Sequence, residues 1–193
     1  RRFTHYKHDP GDPNSLSNDV IVSLFIDHEQ KLWVGTYFGG LNCFDGRSFK
    51  RFLHNPADPN SLSDNRVWTI LEDSGHNLWV GTLRGGLSLY DRKRQTFRHF
   101  RPGGPNSICS NYISALKEDR NGALWIGTER GVDVLDVKTG RFLHFENAPT
   151  DTNSLSHNTV TQITEDPAGN IWIATLHGLN LFDRSANTFR SFG

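Results

Sequence analysis

The chain has 193 residues and carries 21 basic and 21 acidic side chains, so its formal net charge is zero. This balance provides no electrostatic footprint for nucleic acid or for an anionic membrane surface, and no apolar run is long enough to span a bilayer. The sequence contains no methionine, so we expect a processed or excised piece of a longer protein.

One pentapeptide recurs through the chain and sets its organisation. It occupies residues 32–36, 78–82, 124–128 and 171–175, and its tryptophans are Trp33, Trp79, Trp125 and Trp172. The resulting period is about 46 residues. A fixed period of this size indicates a repeat architecture, in which each unit must be stacked against its neighbours to bury its apolar faces.

The first predicted element is a short strand at residues 1–6. Phe3-Thr4-His5-Tyr6 matches segments that begin at Phe49, Phe97, Phe142 and Phe189. Aromatic residues at both ends of a short segment that is followed by a turn favour an edge strand. We therefore expect residues 1–6 to be the last strand of a preceding unit.

Each repeat then has the same predicted order of elements. A linker of the Asn-Ser-Leu-Ser type precedes an inner strand, a tight turn that begins with aspartate, the tryptophan strand, a third strand and the Phe-x-x-Phe strand. Apolar residues in the inner strand are three positions apart, as at Val67 and Ile70, which could indicate a helix. The run is short, β-branched and closed by turn residues, so we predict a strand.

These elements predict an all-β fold, a β-propeller segment of four four-stranded antiparallel blades plus one extra N-terminal edge strand. The chain is expected to be one partial propeller over 1–193, with blades at 18–53, 64–100, 110–145 and 157–192. The four tryptophans are expected to act as wedges between blades, because their large side chains dominate such a core. The turn aspartates Asp27, Asp73, Asp119 and Asp166 are expected to cap their own turns rather than bind calcium.

The repeat resembles a known family. The pattern Asp-x-x-Gly-x-Leu-Trp-Ile-Gly-Thr-x-x-Gly-Leu is present from Asp119 to Val132, with valine at the last position, and resembles the two-component regulator propeller repeat. The resemblance covers nearly the whole chain, with departures at Ala174 and at Gln30. It implies a periplasmic or extracytoplasmic sensor of a hybrid histidine kinase in the inner membrane, and it implies further blades as partners.

Candidate binding residues are those that differ between repeats within a constant frame. We name the edge that carries the linkers and the turns after the tryptophan strands the linker rim. Its candidate ligand-binding residues are Tyr37, Phe38, Arg66, Trp68, Arg84, Tyr112, Glu129, Arg130 and His177. Aromatic faces beside charged groups suit a sugar ring or an anionic oligosaccharide, although the same residues could simply be solvated.

No motif indicates catalysis, a cofactor or a metal site. Asp64, Glu129 and Asp133 could face the central channel, but nothing in the sequence pairs two carboxylates as a glycosidase requires. Cys43 and Cys109 occupy different repeat positions and are not expected to form a disulfide. The family resemblance implies a sensor, and the aromatic and charged residues of the linker rim suit a sugar, so we predict a non-catalytic segment that senses a carbohydrate-derived signal. The alternatives are a protein-interaction platform and a propeller glycosidase or lyase.

The exposed faces of the end blades also suggest a homodimer that completes a ring. We expect no nucleic acid as a partner and no direct contact of this segment with a membrane.

Overall fold

The computed structural model describes residues 3–192, which form sixteen β-strands in four antiparallel sheets. Blade 1 consists of β1 (Ile21–Ile26), β2 (Leu32–Thr36), β3 (Leu41–Phe44) and β4 (Phe49–Phe52). Blade 2 consists of β5 (Val67–Glu72), β6 (Leu78–Thr82), β7 (Leu87–Asp91) and β8 (Thr96–Phe100). Blade 3 consists of β9 (Ile113–Glu118), β10 (Ala123–Thr128), β11 (Gly131–Asp136) and β12 (Arg141–Phe145). Blade 4 consists of β13 (Val160–Glu165), β14 (Ile171–Thr175), β15 (Gly178–Asp183) and β16 (Thr188–Phe192).

The strands of each blade pair in chain order, so every blade is a simple meander. The inner strands β1, β5, β9 and β13 contact one another in sequence, and the core lies between successive blades. The predicted all-β fold of four four-stranded blades is confirmed. Within residues 3–192, no helix is long and apolar enough to cross a membrane.

The inner strands contain a bulge that explains their helix-like apolar spacing. In β5 the pairing with β6 shifts between Val67 and Thr69, so Trp68 is the extra residue. A bulge breaks the two-residue alternation, which lets residues three apart share a face. Val67 and Ile70 are accordingly both buried.

The tryptophan strands join neighbouring blades. Trp33 is 2% exposed and packs edge-on against Tyr90 of blade 2, with ring centroids 5.3 Å apart. Trp125 contacts Phe182 of blade 4 in the same way, at 4.9 Å. Trp172 is only half-buried, since no described blade follows it.

The glycine of the repeated pentapeptide permits this close packing. A Cβ atom built on Gly81 would lie 2.6 Å from Cγ2 of Ile113 in the next blade. Gly35 and Gly127 face Val67 and Val160 in the same way, each at 2.7 Å. Glycine is therefore required wherever a described blade follows.

The expected N-terminal strand is not formed by the described residues. Residues 3–7 have no strand pairing, and Phe3 is 83% exposed. The physical reason is that an edge strand needs a neighbouring strand, and these residues have no such partner within 3–192. Residues 1 and 2 of the predicted strand lie outside the described residues. Tyr6 nevertheless packs on Phe44 and Phe49, with centroids 5.0 and 5.5 Å away.

Candidate functional site

A cavity on the linker rim lies where blades 1, 2 and 3 meet. Its volume is about 580 Å³, and it is lined by Tyr37, Arg66, Leu83, Arg84, Asn111, Tyr112 and Glu129. Five of these seven residues belong to the set predicted from the sequence. The cavity therefore brings together side chains that are up to 92 positions apart in the chain, from Tyr37 to Glu129.

Backbone hydrogen bonds hold the cavity walls in place. The amide of Tyr37 donates to the carbonyl of Val20 at 3.0 Å, and the amide of Leu83 donates to that of Arg66 at 3.1 Å. These bonds tie each turn to the start of its own inner strand. The amide of Gly86 donates to the carbonyl of Asn111 at 3.0 Å, which ties the turn of blade 2 to blade 3.

The charged groups of the cavity differ in how far they are already paired. Arg66 donates from Nε and Nη2 to the two carboxylate oxygens of Asp64, each at 2.9 Å. Glu129 accepts a hydrogen bond from Ser110 Oγ at 3.2 Å. Arg84 is exposed. A ligand would meet a neutralised Arg66, an available Arg84 and a carboxylate, a mixture suited to hydroxyl groups or to a single acidic group.

Four predicted residues lie outside the cavity lining. Phe38 is 62% exposed and packs edge-on against Tyr37, with centroids 4.5 Å apart. Trp68 is half-buried at the bulge of β5, and Arg130 is exposed. His177 belongs to blade 4, where its ring lies 5.4 Å from that of His157.

Two lining residues were absent from the predicted set. Leu83 varies between repeats, but its aliphatic side chain gave no chemical reason to select it. Asn111 matches Asn65 and Asn158 in two other repeats and Asp19 in the first, so it has the pattern of a nearly constant frame residue. Oδ1 of Asn65 accepts a hydrogen bond from the amide of His54 at 2.7 Å, and Oδ1 of Asn158 accepts one from the amide of Asn147 at 2.6 Å.

Asp64 and Asp133, which the sequence analysis considered as catalytic carboxylates, form hydrogen bonds and ion pairs within the fold. Asp133 is fully buried and accepts hydrogen bonds from the amide of Cys109 at 2.8 Å and from His144 Nδ1 at 2.6 Å. Asp64 pairs with Arg66 as described above. Neither Asp64 nor Asp133 is among the residues that line the cavity with Glu129.

Both cysteines are free thiols, as expected. Burial raises the pKa of Cys43 to about 11 and that of Cys109 to about 12. Since the thiolate is the nucleophile, these side chains are protonated and unreactive at neutral pH.

A cluster on the opposite rim brings together His28, Glu72 and His76, whose donor atoms all lie within 4.8 Å of one another. The two imidazole rings are stacked at 4.0 Å with an interplanar angle of 26°. Nearly parallel rings cannot direct their lone pairs at one ion without rotating. Glu72 also accepts a hydrogen bond from Arg92 at 2.5 Å, and that positive charge opposes a bound cation. The cluster therefore serves as a clamp between blades 1 and 2, and the absence of a metal site stays a prediction.

Comparison with known families identifies the repeat. The model of the two-component regulator propeller matches residues 15–38, 61–84, 107–130 and 154–177. Each match contains the end of a linker, an inner strand and a tryptophan strand. A comparison with curated proteins finds no match.

Solved structures of extracellular domains of two-component systems are similar to this chain. The extracellular domain of the hybrid two-component system BT3049 from B. thetaiotaomicron is 27% identical, with a TM-score of 0.67 over 91% of this chain and 30% of that one. That of BT4673 from the same organism is 28% identical, with a TM-score of 0.70 over 87% of this chain and 22% of that one. This chain thus spans less than a third of either relative.

A more distant likeness concerns the fold alone. Virginiamycin B lyase from Staphylococcus aureus is 16% identical, with a TM-score of 0.66 over 89% of this chain and 55% of that one. The repeats of this chain are regulatory rather than catalytic, as in the hybrid two-component systems. With four matched repeats in phase and four blades of the corresponding structure, the chain belongs to the two-component regulator propeller family.

Proposed function

We propose that the chain is the ligand-sensing part of an extracytoplasmic sensor of a hybrid two-component system, and that its signal is derived from a carbohydrate. The cavity between blades 1, 2 and 3 carries this proposal. Tyr37 and Tyr112 supply aromatic faces for the apolar side of a sugar ring, while Arg84, Asn111 and Glu129 supply groups that hydrogen-bond to hydroxyls.

The position of the cavity supports a signalling role. A ligand in contact with Tyr37, Arg84 and Tyr112 touches three successive blades at once. It would bind most tightly to one relative arrangement of those blades and would shift the population towards it. Transmission across a membrane would require parts of the parent protein other than these four blades.

Binding to a panel of neutral and uronic-acid-containing oligosaccharides tests the proposal. Calorimetry should show at least one binder, and Tyr112→Ala should weaken it by about tenfold or more, in line with the loss of one stacking face. Leu176→Ala is the matched control, because Leu176 occupies in blade 4 the position that Tyr37 has in blade 1 and lies outside the cavity.

The other outcomes identify the alternatives. Equal effects of Tyr112→Ala and Leu176→Ala would contradict this location of the site. Indifference to every oligosaccharide would favour a protein-interaction platform, and hydrolysis of a bound oligosaccharide would favour an enzyme.

The end blades support a proposal about partners. Leu24 and Ile26 of β1 are 64% and 61% exposed, and Phe192 at the other end is 39% exposed. Tyr6 contacts Phe44 and Phe49 of blade 1, and Phe52 of blade 1 contacts Tyr90 and Phe97 of blade 2 in a similar way. This similarity supports a preceding blade to which Tyr6 would belong. We propose that further blades of the parent protein cover these faces. In the isolated chain we expect a second copy to cover them, and a monomeric mass by light scattering would contradict this homodimer.

A further inference from the structure

The linker that precedes blade 4 has the same hydrogen-bonded shape as the linker that precedes blade 1. The amide of Ser154 donates to the carbonyl of Asp151 at 3.1 Å, as that of Ser15 donates to Asp12 at 3.2 Å. Ser154 Oγ donates to the carbonyl of Ala148 at 3.0 Å, and Ser15 Oγ donates to that of Asp9 at 3.1 Å. The two linkers therefore present the same set of carbonyl oxygens.

In blade 1 these oxygens hold the guanidinium group of Arg51. Nε of Arg51 donates to the carbonyl of Ser15 at 2.8 Å, and Nη2 donates to that of Asp12 at 2.7 Å. Nη2 also lies 2.7 Å from Ser15 Oγ and 3.1 Å from the carbonyl of Leu16. The linker thus forms a guanidinium cradle, which we define in blade 1 by Asp12, Ser15 and Leu16.

Blade 4 has the cradle without the arginine. Ser191 is paired with Asn180 across the sheet as Arg51 is paired with Asn42, so the two residues occupy equivalent positions. The short side chain of Ser191 donates to Asn180 Oδ1 at 2.9 Å instead of reaching the linker. A solvent-open cavity of about 670 Å³ remains, and Asp151, Ser154, Leu155 and Ser191 are among its lining residues.

The other blades fill this position with a basic residue. His99 occupies it in blade 2 and His144 in blade 3, since these residues face Ser88 and Asp133 across the sheet. Nδ1 of His99 lies 3.0 Å from Ser88 Oγ, and Nδ1 of His144 lies 2.6 Å from Asp133 Oδ1, so each imidazole is held at this position by its partner across the sheet. In blade 4 the neighbouring Arg190 does not substitute for the missing base, because its guanidinium lies over the Phe192 ring at 4.9 Å.

We propose that the blade 4 cradle, formed by Asp151, Ser154 and Leu155, binds a guanidinium group supplied from outside these four blades. A planar guanidinium has five donors and no acceptor, which matches an array of carbonyl oxygens. The carboxylates of Asp151 and Asp183 also line the cavity and favour a cation, and they outnumber the one cationic side chain of the lining, Arg190, which lies over the Phe192 ring. An arginine side chain of another polypeptide and a small guanidino compound share this chemistry.

Ethylguanidinium is the probe for this site in the full 193-residue chain. In a ¹H–¹⁵N NMR titration at millimolar concentration, we expect amide shifts concentrated at 151–155 and 189–191. Urea is the control for a planar group without charge, and ethylammonium is the control for a cation that is not planar. Both should give weaker shifts at 151–155. Uniform shifts, or no shift at 151–155, would overturn the proposal.

Two reciprocal substitutions sharpen the test. Ser191→Arg should fill the cradle from within the chain, so that the shifts at 151–155 disappear and the Tm rises. Arg51→Ser should open the blade 1 cradle, so that ethylguanidinium also shifts residues 12–16 and the stoichiometry changes from one to two. If Arg51→Ser does not fold, Ser191→Arg alone decides, and shifts that persist in it contradict the proposal.

The source of the guanidinium is distinguished by comparing ligands. Tighter binding of an arginine-containing tripeptide than of ethylguanidinium, with loss of binding when citrulline replaces the arginine, indicates a polypeptide partner. Equal affinity of both indicates a small guanidino compound.

Discussion

Trp125 donates a hydrogen bond from its indole Nε1 to Oδ2 of Asp119, which begins the preceding turn, at 2.9 Å. Oδ1 of the same carboxylate accepts the amide of Ala123 at 3.0 Å, so Asp119 caps its turn and also anchors the wedge between blades. Arg184 from blade 4 donates to Oδ2 at 2.8 Å. One buried carboxylate therefore joins a turn, a core indole and the next blade.

A hydrogen bond from an arginine of the next blade reaches every second turn aspartate along the chain. Asp27 accepts hydrogen bonds from Trp33 and from Arg92 of the next blade, each at 2.8 Å. Asp73 and Asp166 also accept their tryptophans, but their second partners are Asn77 and Asn170 from their own turns. The blade that follows blade 2 has Val137 in place of the arginine, and Val137 packs into the interface.

Asp119→Asn should destabilise the chain more than Asp166→Asn does. The first substitution removes the charge partner of Arg184 in a place where the Asp119 side chain is 1% exposed, and we expect a loss of about 2–4 kcal/mol in the free energy of unfolding. The second removes no inter-blade ion pair among the described residues. Urea unfolding measures both, and equal losses would show that the contact with Arg184 adds nothing.

Acid should unfold the chain through these same carboxylates. Burial by itself raises the pKa of Asp119, but the hydrogen bonds from Trp125 and Arg184 outweigh it, and its pKa lies below the ordinary 3.8. Asp27 has a lowered pKa for the same reasons, with Arg92 as the cation. The unfolded chain takes up these protons first, so this stabilisation is complete above about pH 4 and is lost as the pH falls through the folded pKa values.

The unfolding midpoint in urea, measured between pH 6 and pH 2, tests this linkage. We expect the midpoint to fall steeply in the wild type below about pH 4 and less steeply in a variant with both Asp27→Asn and Asp119→Asn. Parallel curves for the two proteins would assign the acid sensitivity to other groups.

The repeat made most of the fold predictable, because each strand and turn pattern occurs in four copies. The glycine turns, the β-branched strands and the tryptophan period required only local sequence rules. The bulge at Trp68 was not predictable, since the spacing of Val67 and Ile70 is equally consistent with a helix and only the pairing with β6 distinguishes the two. The N-terminal strand failed for a related reason: Phe3 and Tyr6 carry the right pattern, but a pattern cannot supply the neighbouring strand.

The candidate site was less predictable than the fold. Residues that differ between repeats include Arg66, Arg84 and Tyr112, which the structure brings together in one cavity lining, and their role in binding stays a prediction. Variation between repeats could not separate them from His177, which varies equally but lies in a blade away from the cavity. The hydrogen bond between Gly86 and Asn111, which sets the cavity wall, joins a constant and a nearly constant position and gave no signal in the sequence.

The pentapeptide glycine provides a stability test with a control inside the chain. Gly81→Ala would place a methyl group 2.6 Å from both Ile113 and Thr69, and we expect overpacking to cost about 1–3 kcal/mol. Ala174 occupies the same position in blade 4, where no described blade follows, and Ala174→Gly should change stability by about 1 kcal/mol or less. Urea unfolding measures the free energy of unfolding of both variants. Gly81→Ala adds a methyl group between two blades, whereas Ala174→Gly removes one at a face that no described blade covers. A Gly81→Ala protein as stable as the wild type would show that the blades can move apart without cost, contrary to a core packed between them.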